Sequence, residues 1–245
     1  MRGTCDHVLT PSALPLESLF GSARHVVAVA PHPDDDVLGC GGVLAAAAAR
    51  GLAVDVVYVT DGTASHVGSP SFPAKRLRAL REAEAAAALA VIGVRSPPRF
   101  LRWPDGTVPQ ADDPAAAALL PSLAGAIPHT GTTLVLSPWA RDPHPDHRAV
   151  SALVRAAVAA RPNVILAEYR VWLDERGSPD DAPRAADGTL LVCDVSPYAA
   201  RKRNALAMHR SQLGEVISDA REAFVLPPRL IAAAGATVER FVLVA

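Results

Sequence analysis

Aromatic side chains make up only 4% of this 245-residue chain, and no excess of positive charge accompanies them: 24 Lys and Arg stand against 25 Asp and Glu. A surface that grips nucleic acid needs a basic stripe and, for single strands, stacking platforms, so no nucleic-acid partner is expected. Cysteine is nearly absent. Cys5, Cys40 and Cys193 are odd in number, widely spaced and free of any C-x-x-C pair. That argues against a disulfide framework and against a thiolate zinc knuckle, and it suits a reducing cytoplasm. No apolar run of about 18 residues occurs, so no membrane span is expected. Residues 1–20 lack a basic segment followed by an apolar core, and no secretory leader is expected.

Half of the residues are apolar, enough for one large α/β core, whereas two domains would each be small. We expect a single domain over 1–245, with 1–22 as a peripheral extension. Short β-rich runs alternate with alanine-rich helical ones. Strands are expected at 25–30, 54–60, 100–103, 133–137, 164–172 and 189–195, with 240–244 closing the sheet at an edge. Helices are expected near 37–50, 74–92, 114–126, 145–160 and 197–211. Continuous apolar strands alternating with helices predict a mostly parallel sheet covered on both faces. The long segments 61–73 and 174–188 then lie at the carboxyl edge of the strands, where open α/β folds bind ligands.

Two polar segments fall at that edge. His32-Pro-Asp-Asp35 follows the first strand, and His144-Pro-Asp-His147 follows the fourth. In a doubly wound sheet ordered 3-2-1-4-5, those strands are neighbours at the topological switch point. Segments about 110 residues apart thereby share one address. Catalytic zinc takes three imidazole or carboxylate ligands and leaves a position for water, and His32, Asp35 and His147 can supply them. Asp34 is placed to accept the water's proton. His144 is placed to stabilise an oxyanion or protonate a leaving amine. Asp146 is left to support a ligand or face a helix N-terminus. Either segment alone reads equally well as a helix cap or a polar loop; together they point to a metal site.

These segments resemble the signature of the PIG-L/LmbE family of N-acetylglucosaminyl deacetylases. Pro31-His-Pro-Asp-Asp-Asp36, followed by Val-Leu-Gly-Cys-Gly-Gly42, is similar to the family's Ala-His-Pro-Asp-Asp-Glu motif and glycine-rich helix start. His-Pro-Asp-His is intact at 144–147. Weaker likenesses are Thr60-Asp-Gly62, Arg81-x-x-Glu84 with Val91-Ile-Gly93, Leu101-Arg-Trp-Pro-Asp-Gly106 and His209-Arg-Ser-Gln212. The resemblance implies a Rossmann-like fold, a Zn2+ ion (or another divalent metal) on His32, Asp35 and His147, Asp34 as general base and His144 at the transition state. It also implies deacetylation of a small N-acetylated amino sugar or glycoside, with Arg81 binding substrate. Asp36 replaces the family's Glu and is one methylene shorter.

Other readings compete at individual positions. Arg81 reads equally as a helix-surface residue paired with Glu84. Asp105 is a substrate contact or an ordinary Pro-Asp-Gly turn residue. His209 lines a pocket or ends a helix, while His66 and His129 read as surface residues. Cys40 reads as a small buried residue, and Trp139 as either a wall of the site or part of the core. Gly39-Cys-Gly41-Gly42 suggests a dinucleotide fingerprint with Asp61 downstream, but its spacing fails and its glycines begin too far past the strand. A sugar-binding member of the family without catalysis is the other alternative.

Overall fold

The structure is a computed structural model describing residues 12–244. Its strands are β1 (Ser12–Leu14), β2 (His25–Ala30), β3 (Ala53–Thr60), β4 (His66–Val67), β5 (Arg99–Trp103), β6 (Thr133–Pro138), β7 (Val164–Tyr169), β8 (Thr189–Asp194), β9 (Glu222–Ala223) and β10 (Val238–Leu243). Its helices are α1 (Leu16–Phe20), α2 (Asp35–Ala49), α3 (Ala74–Ile92), α4 (Leu120–Ala124), α5 (Pro145–Val158), α6 (Leu173–Arg176), α7 (Ala199–Leu206) and α8 (Pro228–Ala234).

Eight strands form one sheet in the order β1-β8-β10-β7-β6-β2-β3-β5, and β4 pairs separately with β9. The β2 sequence HVVAVA is apolar after its first residue, and those five residues are buried. They face two apolar clusters, with Val26, Ala28 and Ala30 on one side and Val27 and Val29 on the other. Strand β2 pairs in parallel with β3 on one side and β6 on the other. The chain runs outward from β2 to β3 and β5 and then returns to β6, which makes the β2/β6 boundary the switch point. This is the expected arrangement of the first five strands.

Four expectations are corrected. The last strand, β10, is not at an edge: it lies antiparallel between β7 and β8. The run 114–126 splits into a 3-10 turn at Pro114–Ala118 and the short α4, with Pro121 at the α4 N-terminus restarting the helix. Helix α7 ends at Leu206, leaving His209 in a turn beyond it. The described part of the N-terminal segment is not peripheral, because Leu16, Leu19 and Phe20 of α1 are buried in the main core. Met1 to Pro11 lie outside the described residues, and so does Cys5.

Position β10 matters because of α2. That helix is kinked at Cys40, whose φ of −144° leaves the helical region. A kink frees backbone groups that must find other partners. Lys202 Nζ, from α7, donates to the Leu38 carbonyl at 2.9 Å. Glu239, from β10, accepts from the N–H groups of Gly42 and Val43 at 2.7 and 2.9 Å. Lys202 and Glu239 also pair with each other at 2.6 Å, both fully enclosed. The glycines of α2 serve the same close packing. A Cβ on Gly39 would lie 2.1 Å from the Tyr169 ring, and one on Gly42 would lie 2.7 Å from Val195 Cβ. They are helix-packing glycines, and no dinucleotide cradle exists there.

Removing one partner of a buried ion pair strands the other charge, at a cost of about 3–5 kcal/mol. Lys202→Met is expected to lower the unfolding free energy by about that amount in urea denaturation. Lys202→Met/Glu239→Gln should recover part of the loss. Equal destabilisation of single and double variants would show that the pair does not act as a unit.

Candidate metal centre

The first turn of α2 and the first turn of α5 meet at the carboxyl ends of β2 and β6. Asp35 opens α2, and its Oδ2 atom accepts from the His32 backbone N–H at 2.9 Å. The same oxygen lies 3.0 Å from His32 Nδ1 and 3.1 Å from His147 Nε2. All three side chains are buried, and His32, Asp35 and His147 offer ligand atoms within 4.8 Å of one another. His147 makes no well-aligned hydrogen bond from either ring nitrogen. An imidazole so buried, with Nε2 aimed at a carboxylate oxygen shared by a second imidazole, has the form of a metal ligand. His32, His144 and Asp146 make an overlapping set. Asp146 is already committed, accepting from the N–H groups of Gly106 and Val108 at 2.9 and 3.1 Å.

Further carboxylates hold the two imidazoles. His32 Nε2 is 3.1 Å from both Asp105 Oδ1 and Asp146 Oδ2. Asp142 Oδ1 lies 3.6 Å from His147 Nδ1 and fixes the His144 backbone by accepting its N–H at 3.0 Å. The other Asp142 oxygen accepts from Trp172 N–H at 3.1 Å. Asp142 was not anticipated. The signal was present, since an Asp lies five residues before His147, but no short motif marks it.

The surplus of carboxylate is visible in the protonation equilibria. Burial disfavours the charged forms of His32 and His147, yet the facing carboxylates raise both, His147 to about 9. Burial alone would raise Asp35, but the two imidazoles hold it well below the usual carboxylate range. Buried carboxylates surrounding two imidazoles call for positive charge between them, which a dication supplies. The donor set therefore fits a divalent metal ion.

Asp34 does not cap α2, since its side chain makes no capping hydrogen bond. Its backbone φ is 152°, a strained value for a residue with a Cβ. Arg81 holds this conformation. Its guanidinium donates to Pro33 O at 3.0 Å and Gly62 O at 2.9 Å, and it lies 3.3 Å from Asp34 Oδ2. A Cβ on Gly62 would meet Arg81 Nη1 at 2.6 Å, so that turn needs glycine. Burial pushes the Asp34 carboxyl up to about 7, against the pull of Arg81. Arg81 is thus buried and faces the site, and it is not paired with Glu84, which accepts from Ser211 instead.

His144 is the N-cap of α5, and its Nδ1 accepts from Asp146 N–H at 3.2 Å. A neutral imidazole accepting at Nδ1 carries its proton on Nε2. Burial and the neighbouring imidazoles lower its pKa to about 4. One pocket is lined by His32, Asp34, Asp35, Arg81, Asp105 and His144 at this end.

The remaining candidates divide. Asp105 is more than a turn residue, because it contacts His32 and also accepts from Ala64 N–H. His66 is buried, which corrects the surface expectation, because β4 pairs with β9 and covers it. His129 is exposed as expected. His209 is fully buried and does not line the pocket. Cys40 is buried, and Trp139 packs with Leu173, Leu190 and Val242 in the core. Asp36 is fully enclosed and its carboxyl oxygens make no hydrogen bond. Burial pushes it up to about 7 beside the Tyr58 hydroxyl.

The family described as GlcNAc-PI de-N-acetylase, PIG-L, matches residues 27–158, more than half of the 245-residue chain. The 1D-myo-inositol 2-acetamido-2-deoxy-alpha-D-glucopyranoside deacetylase of Rhodococcus erythropolis is 28% identical, with 93% of each chain covered. A probable N-acetyl-alpha-D-glucosaminyl L-malate deacetylase 2 of Bacillus anthracis is 26% identical, over 82% of this chain and 87% of its own. The N,N'-diacetylchitobiose deacetylase of Pyrococcus horikoshii superposes with a TM-score of 0.62 at 24% identity, over 80% of this chain and 73% of its own, a likeness of fold.

Groups that orient metal ligands change metal affinity by about 10–100-fold when removed. Asp142→Ala is expected to weaken divalent-metal binding within that range in a competitive chelator titration. Unchanged affinity would show that Asp142 serves only the backbone of the 142–144 turn.

Proposed function

Because the chain belongs to the PIG-L family of de-N-acetylases, we propose that it is a zinc-dependent hydrolase that removes the acetyl group from an N-acetylated amino sugar or glycoside. The observation that carries this reading is the convergence of His32 and His147 on one oxygen of Asp35, at 3.0 and 3.1 Å, from the ends of two adjacent parallel strands. A divalent ion held by His32, Asp35 and His147 would lower the pKa of water and polarise the acyl carbonyl.

The protein's own groups then have separable tasks. Asp34 lines the pocket beside that set and accepts the proton of the attacking water. Arg81, 3.3 Å from Asp34 Oδ2, holds that carboxylate at the pocket wall. His144 presents Nε2–H, because Nδ1 is engaged by the α5 backbone. A donor so placed stabilises the negative charge that develops on the carbonyl oxygen as the tetrahedral centre forms. Collapse of that centre breaks the C–N bond, and the proton taken by Asp34 passes to the departing amine. Acetate and a free amino sugar leave. Asp105 and Asp146 hold the His32 ring, and Asp142 holds the His147 side of the site.

No helix among the described residues is long and apolar enough to cross a membrane. The free, buried Cys40 and Cys193 suit a cytoplasmic setting.

Three variants separate the tasks. His32→Ala and His147→Ala should each lose stoichiometric zinc by elemental analysis, and with it acetate release from N-acetylglucosamine derivatives. Asp34→Asn should retain zinc but lose turnover by about 10²–10⁴-fold. Full turnover by Asp34→Asn would remove it from the mechanism. Failure of metal-replete protein to cleave any of a broad panel of N-acyl amines would overturn the hydrolase reading.

A further inference from the structure

The pocket has a second end whose chemistry differs from the first. Trp172, Phe224 and Leu226 line it together with Arg176. His144 joins the two ends, its ring 4.8 Å from His32 and 6.4 Å from Trp172. Beyond it, Phe224 meets Trp172 edge to face at 5.9 Å. The aromatic wall thus adjoins His144 on the side of Trp172, with Phe224 packed against Trp172. Its position is fixed, because Asp142 accepts the Trp172 N–H at the same time as that of His144.

Arg176 is the unusual element. Its guanidinium carbon stacks 4.2 Å over the Trp172 ring. Stacking uses the flat face of the guanidinium and leaves its in-plane N–H donors free, in the fork that matches a carboxylate or phosphate. Other arginines around this loop are satisfied by carboxylates: Arg141 pairs with Asp187, Arg170 with Asp174 and Arg184 with Asp180. Arg176 has no such partner among the described residues, although it sits at the mouth of the pocket.

We infer that this outer end is a subsite for the aglycone of the substrate, and that the aglycone carries an oxyanion, carboxylate or phosphate, bound by Arg176 against the Trp172–Phe224 wall. The inference rests on the deacetylase reading and extends it to substrate class. The charge pattern also orients the ligand. At the outer end Arg176 supplies the positive charge that attracts an anion. An acidic glycoside therefore enters with its acetamide first.

The test uses metal-loaded Asp34→Asn protein, so that ligands bind without turnover, and follows quenching of tryptophan fluorescence. The probes are methyl N-acetylglucosaminide, N-acetylglucosamine 1-phosphate and the N-acetylglucosaminide of a small hydroxy acid. At least one acidic probe should bind about tenfold or more tightly than the methyl glycoside, as a charge-assisted hydrogen-bonded pair provides. That advantage should shrink with added salt. Arg176→Gln in the same background should bring the ratio close to one, and Arg176→Lys should restore part of it. With active protein, the preference should appear mainly in KM. Whichever acid is preferred identifies the oxyanion. Absence of any preference, or a preference that survives Arg176→Gln, overturns the inference. Arg176-dependent binding without cleavage of any N-acyl group would instead leave the subsite standing and overturn the deacetylase reading.

Discussion

One carboxylate oxygen organises this protein. Asp35 Oδ2 receives the backbone N–H of His32 and faces an imidazole nitrogen of His32 and another of His147. The two imidazoles come from chain segments more than a hundred residues apart, so the contact exists only because β2 and β6 are paired in parallel and in register. Three further acidic groups at the site answer to that arrangement. Asp105 and Asp146 turn toward His32, and Asp142 turns toward His147. So many buried carboxylates are costly to gather without a compensating cation. Stability alone would not select such a cluster, which is why it reads as a site.

Holding Asp35 there constrains the helix it begins. The first turn of α2 must face the β2/β6 edge while the remainder packs against α7, α8 and the sheet. Between the two, α2 breaks at Cys40. The break is tolerable because Lys202 and Glu239 take up the backbone groups it releases. This also explains an antiparallel strand in an otherwise parallel region: β10 delivers Glu239 beneath the kink. On the other side of Asp35, the strained backbone of Asp34 is held by the Arg81 hydrogen bonds to Pro33 and Gly62. Strain at Asp34 and the kink at Cys40 are thus two ends of one short segment that the surrounding elements keep in place.

What could be read in advance follows from the range of the interactions. The strands were legible because their apolar runs are local, and the 3-2-1-4-5 order followed from alternation with helices. The two histidine motifs were legible because residues just past parallel strands share one edge. Lys202 and Glu239 were not, because their partners, Leu38 and Gly42, lie elsewhere in the chain, and Asp142 was not, because no short motif marks an Asp five residues before His147. Arg81 is an intermediate case. It shares a helix face with Leu77, Glu84, Ala85 and Ala88, all buried. An arginine four residues after a leucine on the apolar stripe was a readable sign of a buried, partnered cation. The placement of β10 was not readable, since an alternating strand suits an edge or an interior antiparallel position equally well.

The same division of range explains how one fold can keep its reaction and change its substrate. The inner end of the pocket is built from strand ends and first helical turns, each residue held by two or more partners, and a substitution there disturbs several bonds at once. The outer end is built from connections. Phe224 and Leu226 follow β9, which pairs with β4 in the 61–73 segment, and Asp219 accepts from Ser69 and Ser71 across the same junction. Those two loops are tied to each other more than to the sheet. Arg176 ends the short α6 within a third connection, and its contact is a single stacked face. Residues with so few obligations can change without unsettling the His32–Asp35–His147 cluster, so it is at this end that specificity for the aglycone can vary independently of the inner site.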